Sequence, residues 1–366
     1  MRRRTFMRNL AAGVTVPGTV AGISIPKPAL DQKKIEWTMI TYFRVNQKHR
    51  EFAKIVAETS KGQLLIKLRS RGTDPAWKVV EDINSGQIEM GHGSLLFSPT
   101  EKESEARVQI VPAADFLIMP FGLTAQEYNA WIEFGGGRKL LDKIYDQIGC
   151  KYFPAGNTGI QMGGWFAKEI NSIEDLKGLK IRISGFGAAA MEVLGAEPYD
   201  VAPWSDDAKR AMKSGRLDAF ELGRPSSDLA NELYKRYKYY YYPAWHEPSV
   251  PRALVINRSK WDSLPSHLKA IISTAASWLN YQDNIRMVDA AEALETLVKE
   301  HGIQLMQFPD SVLKELARVS YEIMRERASQ DKLSQAVFES IMEFKQKISA
   351  WAKVSLQPFL EVRGSL

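Results

Sequence analysis

The residues richest in chemistry fall between positions 156 and 247. Gly156 to Phe166 is a Gly- and amide-rich segment that carries Gln161, and Arg182 closes the strand-like run that begins at Lys180. An amide offers an acceptor oxygen and two N–H donors, and a guanidinium offers a planar fork that matches a carboxylate. That combination suits holding a small carboxylate better than transforming one. Each residue also has a plainer reading, Gln161 as a loop-bracing amide and Arg182 as an ordinary ion-pair partner. Glu221 ends the run Leu217-Asp218-Ala219-Phe220 among apolar neighbours, where an unpaired carboxylate is costly. It needs a cation, which is either an arginine (Arg182 or Arg224) or a metal ion. With an amide oxygen, a carboxylate and backbone carbonyls to hand, the hard-oxygen set favours sodium or calcium over a transition metal.

His246 and Glu247 sit at the turn after Tyr239 to Tyr242 and are further cleft candidates. At most two of the four tyrosines can face a cleft, since successive strand residues alternate faces. Gly185-Phe186-Gly187-Ala188-Ala189-Ala190 matches the dinucleotide fingerprint G-x-G-x-x-A. Gly195 and Pro198 leave room only for a short helix from about Ala188 to Leu194, so the segment reads better as a helix N-terminus that helps receive an anion. No Ser/His/Asp signature, G-x-S-x-G, Walker lysine or tight acid pair is present. The histidines lack zinc spacing, and the single Cys150 excludes an intramolecular disulfide and a cysteine metal site.

These residues must be positioned by alternating strands and helices. Ile35 to Ile40 reads as a strand, Gln47 to Thr59 as a helix with Phe52, Ile55 and Val56 on one face, and Leu64, Ile66 and Leu68 alternate at period two. A helix opening near Pro75 and a strand at Ile88 to Gly91 complete a βαβαβ beginning, so a mainly parallel sheet is expected. Gln126 to Phe134 and Arg138 to Ile148 read as helices about Gly135-Gly136-Gly137. Ser172 with Asp175 caps a short helix before the strand Leu179 to Ile183, and Ser205 with Asp206-Asp207 opens another before the strand Leu217 to Glu221. Arg182 and Glu221 thus fall at C-terminal strand ends, where open α/β sheets bind ligands. From Pro265 the chain reads as almost wholly helical. Leu333, Val337, Ile341, Phe344, Ile348 and Trp351 step by four and three, a seam that fits either packing on its own subunit or a partner helix.

At 366 residues the chain can build two lobes with a substantial core. Its formal charge of +6 invites a nucleic-acid reading, but Arg2, Arg3, Arg4, Arg8 and Lys27 stand in the first thirty residues with no acid among them. The remainder is nearly balanced and shows no basic patch with interleaved aromatics, so nucleic-acid binding is not expected. Arg3-Arg4-Thr5-Phe6-Met7-Arg8 and the weakly apolar run to Ile25 resemble a twin-arginine export signal over residues 1–30, with a mature start near Leu30 to Lys34.

Several motifs in order resemble the periplasmic solute-binding subunit of tripartite ATP-independent periplasmic (TRAP) transporters, above all its 2-oxo acid-binding branch. They are Tyr128-Asn129-Ala130-Trp131 with Gly135-Gly136-Gly137, Gly156 to Phe166, Asp175 to Arg182, Ser214-Gly215 through Glu221, and Tyr239 to Pro248. The resemblance spans roughly residues 35 to 350. It implies an α/β fold of two lobes with an interlobe cleft, crossing strands and long C-terminal helices. Residues 31–155 are then mainly lobe I, 156–250 mainly lobe II, 251–310 a crossing segment with helices, and 311–366 C-terminal helices and a possible dimerisation element. It also implies that Arg182 takes the ligand carboxylate, that Gln161 contacts ligand and cation, and that Glu221 and the backbone oxygen of Leu222 hold the cation. Glu247 matches a position that reaches ligand or cation. The ion would be sodium, with calcium the alternative, and the partners would be a small organic acid, TRAP membrane permease subunits and a second copy in a homodimer.

The chain departs from that branch in two places. Leu222 stands where the branch has Trp, followed by Gly223-Arg224, and the first-lobe wall reads Thr41-Tyr42-Phe43-Arg44 and Gly93-Ser94-Leu95-Leu96. The charged run at residues 101 to 110 reads as an insertion. A larger ligand, or one with a second anionic group for Arg224 or Arg44, is therefore expected. Two other readings use the same residues: an acid–base enzyme with Glu221, Glu247 and His246, and a ligand-sensing domain for a signalling partner.

Overall fold

The computed structural model describes residues 34–42, 44–72, 76–94, 111–201 and 205–365. The expected export signal, the run at 101 to 110, Pro75, Phe43 and Leu95-Leu96 lie outside the described residues. The chain opens with β1 (Ile35–Thr41), α1 (Gln47–Thr59), β2 (Leu64–Ser70), α2 (Ala76–Asn84) and β3 (Met90–Gly93). Then come α3 (Ala125–Phe134), α4 (Gly137–Asp146), β4 (Cys150–Asn157), β5 (Gly164–Phe166), β6 (Lys180–Arg182), α5 (Gly185–Val193), β7 (Glu197–Pro198) and α6 (Asp206–Lys213). β8 (Ala219–Phe220), α7 (Pro225–Ala230), β9 (Tyr239–Tyr242), β10 (Pro251–Asn257), α8 (Arg258–Asp262), α9 (Ser266–Asn284) and α10 (Val288–Lys299) follow. β11 (Gln304–Gln307), α11 (Asp310–Ala328), α12 (Lys332–Ala352) and α13 (Leu356–Ser365) complete it.

The strands form two sheets, ordered β2-β1-β3-β10-β4 and β11-β9-β5-β8-β6-β7. β1 runs parallel to both β2 and β3, as the βαβαβ opening requires. The expectation of a mainly parallel sheet needs correction, because β10 enters antiparallel between β3 and β4. The second sheet is mixed as well, with β5 antiparallel to β8 and β9 while β6 is parallel to β7 and β8. Periodicity marks a strand but not its direction, which is set by where the chain returns from. β11 interrupts the almost wholly helical stretch after Pro265: Gln304 to Gln307 lies parallel to β9 and forms the edge of the second sheet. It is too short and polar to alternate visibly.

Period-two alternation covers both faces of each sheet. Ile40 and Val255 belong to one apolar cluster, and Met39, Leu254 and Ile256 to the cluster on the opposite face. Likewise Phe166, Ala219 and Tyr241 face one core of the second sheet, and Trp165, Phe220 and Tyr240 the other. The helices start where their caps stand. Thr124 and Glu127 form a reciprocal capping box on α3, and the Ser205 hydroxyl accepts from Ala208 N–H at 3.1 Å on α6. Gly137 follows from a close approach, since a Cβ there would stand 2.6 Å from the buried Trp131 indole. α11 joins the two cores, with Val312, Leu316 and Val319 in the second-sheet cluster and Met324 and Ala328 in the first. Among the described residues no helix is long and apolar enough to cross a membrane.

Candidate functional site

Parallel pairing of β6 with β8 sets Arg182 beside Phe220, so Glu221 emerges next to Arg182 just past the strand end. Both side chains are fully buried. Arg182 Nη1 donates to Glu221 Oε2 and to the Glu221 backbone oxygen, each at 2.6 Å, Nε donates to Val201 O, and Nη2 donates to Ser184 Oγ at 3.1 Å. Of the two arginine partners left open for Glu221, the structure takes Arg182 and rejects Arg224. Arg224 turns away to Thr158 O at 3.2 Å and to Asp289 Oδ2 at 3.1 Å. Four of the five Arg182 N–H groups are thus engaged among the described residues, and one is left on a residue that lines a cavity.

Gln161 comes from the loop between β4 and β5, which Met162 N–H pins to Gly223 O and Gly163 N–H pins to Tyr241 O. Its Nε2 lies 3.4 Å from Glu247 Oε2. Glu247 and His246 follow β9, and His246 Nε2 stands 3.3 Å from Glu221 Oε1. The alignment is poor: Glu221 Oε1 and both ring nitrogens of His246 are buried without a hydrogen-bond partner among the described residues. One ligand atom each from Glu221, His246 and Glu247 lies within 4.8 Å of the others. Burial opposes charge on Glu221, yet His246 and then Arg182 outweigh it and hold its carboxyl below the ordinary value. Burial, and next the charge on Glu221, push Glu247 up to about 7. An orphaned buried carboxylate oxygen costs roughly 1–3 kcal/mol unless something meets it. Two carboxylates and an amide suit an oxygen-seeking cation, for which imidazole is a poor ligand. His246 therefore belongs behind Glu221, as a neighbour of Oε1.

Six of the residues singled out in the sequence, Gln161, Arg182, Glu221, Leu222, Arg224 and Glu247, line one cavity of about 380 Å³, whereas His246, also expected in the cleft, is buried and does not line it. Tyr42 and Ser94, at the C-terminal ends of β1 and β3, form part of its wall. Arg44, expected as an anion partner, is exposed and does not line it. The G-x-G-x-x-A segment opens α5 at Gly185, earlier than expected, and Ser184 at its N-cap lines the cavity. Gly187 packs instead against the turn that carries His246, whose Cβ would stand 3.0 Å from an added methyl. Of the four tyrosines, Tyr240 and Tyr241 are fully buried, the first donating to Asp228 Oδ2 at 2.6 Å.

Sequence reasoning missed Arg252, Arg286 and Asp289, which also line the cavity. Arg286 Nη2 donates to Asp289 Oδ2 at 2.9 Å, the same oxygen that Arg224 uses. Arg252 Nη1 pairs with Asp283 Oδ2, and Lys48 Nζ with Asp283 Oδ1 at 2.5 Å. The signal for Arg252 was a lone base at the head of the apolar strand Pro251 to Asn257. Arg286 with Asp289 looks like any exposed pair one helical turn apart.

The model of the bacterial extracellular solute-binding proteins, family 7, matches residues 44–331. The monocarboxylate 2-oxoacid-binding periplasmic protein of a Nostoc species is 34% identical over 309 residues, which cover 83% of this chain and 81% of that protein. A TRAP periplasmic solute-binding protein from Pseudoalteromonas atlantica, solved with bound sodium and pyruvate, is 33% identical with a TM-score of 0.80. One from Colwellia psychrerythraea, solved with calcium and pyruvate, is 34% identical with a TM-score of 0.81. Both alignments cover 90% of this chain and 99% of the relative.

Proposed function

Because the chain belongs to the bacterial extracellular solute-binding proteins of family 7, we propose that it is a TRAP receptor for a small organic acid, a 2-oxo or hydroxy carboxylate. It captures the acid in the periplasm together with a cation and delivers it to TRAP membrane permease subunits. The observation that carries this reading is the buried Arg182–Glu221 pair on the cavity wall, with an unengaged guanidinium N–H on one partner and an orphaned carboxylate oxygen on the other. Arg182 receives the ligand carboxylate. Gln161, Glu221, Glu247 and the backbone oxygen of Leu222 hold the cation, sodium or alternatively calcium. The cation supplies positive charge that lets an acid ligand settle beside two carboxyl groups. His246, beside Glu221 Oε1, favours the ionised carboxylate. Binding suits this constellation better than turnover, because its side chains hold one another and leave the base candidate Glu221 tied to a guanidinium. Export through a twin-arginine signal at residues 1–30 and dimerisation through the C-terminal helices belong to the same reading.

Calorimetric titration of the protein with pyruvate in sodium buffer tests it. Arg182→Lys keeps the charge but loses the fork, and it is expected to weaken binding about a hundredfold, since hydrogen bonds to charged groups contribute roughly 1.5–3 kcal/mol each. Unchanged affinity in a variant whose circular dichroism matches the wild type would sink the role given to Arg182.

A further inference from the structure

The loop that carries Gln161 is fastened at both ends by two adjacent residues that follow β8. Arg224 Nη1 donates to Thr158 O at 3.2 Å before Gln161, and Gly223 O accepts from Met162 N–H at 2.9 Å after it. Between these ties the Gln161 amide oxygen lies against Gly223, where an added Cβ would stand 3.2 Å from Oε1. The same Nη1 also donates to Arg286 O at 3.3 Å, and Nη2 donates to Asp289 Oδ2 at 3.1 Å. Arg286 lies in the break between α9 and α10, and Asp289 lies in the first turn of α10. α9 packs on a first-sheet cluster and α10 on a second-sheet cluster, so the break is a crossing between the sheets. The Thr158 loop, from β4 to β5, is another, and the segment with Val250, from β9 to β10, is a third. Thr158 N–H donates to Val250 O and its Oγ1 accepts from Val250 N–H, both at 2.9 Å. Arg224 thus touches two crossings directly and reaches a third through Thr158. Both Nη1 hydrogens are taken by backbone oxygens, so a carboxylate could take the Nη1–Nη2 fork only by displacing them.

We propose that Arg224 is a positioning residue for the cation site: it holds the Gln161 loop against the α9–α10 break, fixes where Gln161 offers its amide oxygen, and receives no anionic group of the ligand. The inference rests on the receptor reading above, in which Gln161 and Glu221 help hold the cation. The chain departs from the 2-oxo acid branch at Leu222-Gly223-Arg224, and that departure then lies in how the cation site is braced. Partners that orient a metal ligand commonly account for about 10–100-fold in metal affinity.

The test is a calorimetric titration with pyruvate at stepped sodium concentrations, choline chloride keeping the ionic strength constant, and again with calcium. Arg224→Gln removes both Nη1 donors and is expected to raise the cation concentration that half-restores pyruvate binding by about tenfold. The loss of pyruvate affinity should shrink as the cation nears saturation, which neither a lost ligand contact nor general damage to the fold would give. Without acid, the cation should raise the melting midpoint of the wild type more than that of Arg224→Gln, each read against choline. Gly223→Ala probes the same brace, since its methyl meets Gln161 Oε1 and Ser227 Oγ, and the same cation defect is expected. An unchanged cation requirement in Arg224→Gln, or in Gly223→Ala should Arg224→Gln fail to fold, overturns the positioning role. Equal midpoint shifts, or a loss of affinity that is the same at every cation concentration, overturn it too. Cation-independent pyruvate binding by the wild type overturns this inference and leaves the receptor reading standing. Failure of pyruvate to bind the wild type at any cation concentration overturns both.

Discussion

At Arg182 the side chain that ties Glu221 is also the one proposed to receive the ligand, since one of its N–H groups stays unengaged among the described residues and the residue lines the cavity. The sequence left that pairing open, since a residue cannot announce which of two nearby arginines will reach it. Asp228 is a different case, a buried carboxyl behind the site that accepts from Trp165 Nε1, Tyr240 Oη and Ser227 Oγ. Burial pushes it up to about 7 despite those three bonds, and the charge on Glu221 adds to the rise. Its unfolded value lies near 3.9. Between the two values only the folded state keeps the proton, so stability falls as pH rises through that window and levels off above about 7. Asp228→Asn should flatten the profile. Urea midpoints at pH 5 and pH 8 are expected to give a wild-type loss about 1–3 kcal/mol larger than that of the variant; parallel profiles would refute the assignment.

At the scale of elements, most of what positions the site is local and was readable. α1 spans Gln47–Thr59 as its periodicity required, and the caps at Ser172 and Ser205 start the turns that precede β6 and β8. The loop that carries Gln161 depends on glycine for a reason that needs the third dimension. A Cβ on Gly163 would stand 2.5 Å from the Phe308 ring and 2.8 Å from Pro243 O. Gly163→Ala is therefore expected to cost about 1–3 kcal/mol in equilibrium denaturation and to weaken acid binding, because the shift moves Gln161. β10 and β11 escaped the sequence reading because their partners, β3, β4 and β9, lie far away in the chain. Their pairing is a property of the sheets and not of their own residues.

At the scale of the whole molecule, α11 ties the two cores together and the first half of α12 packs on the first-sheet core. Val337 and Ile341 of the heptad-like seam are buried against the first-sheet cluster, with Leu333 and Phe344 partly so. Trp351 is 65% exposed, and Leu356, Phe359 and Val362 of α13 are at least half exposed. The near half of the seam thus packs on its own chain, and the far half fits the proposed second copy. Sedimentation velocity should find the wild type dimeric and Trp351→Glu with Phe359→Glu monomeric; a monomeric wild type would end that proposal. The sequence by itself determined the alternating elements, their caps, the family motifs and six of the residues that line the cavity, because helix and strand periods, capping and strand-end placement are written within short spans. Only the tertiary structure decided that Arg182 and not Arg224 holds Glu221, that His246 backs it, and that Arg252 and Arg286 reach the same cavity. Those outcomes depend on which distant strand ends and helix turns come together, and on charges that share one buried space only after they do.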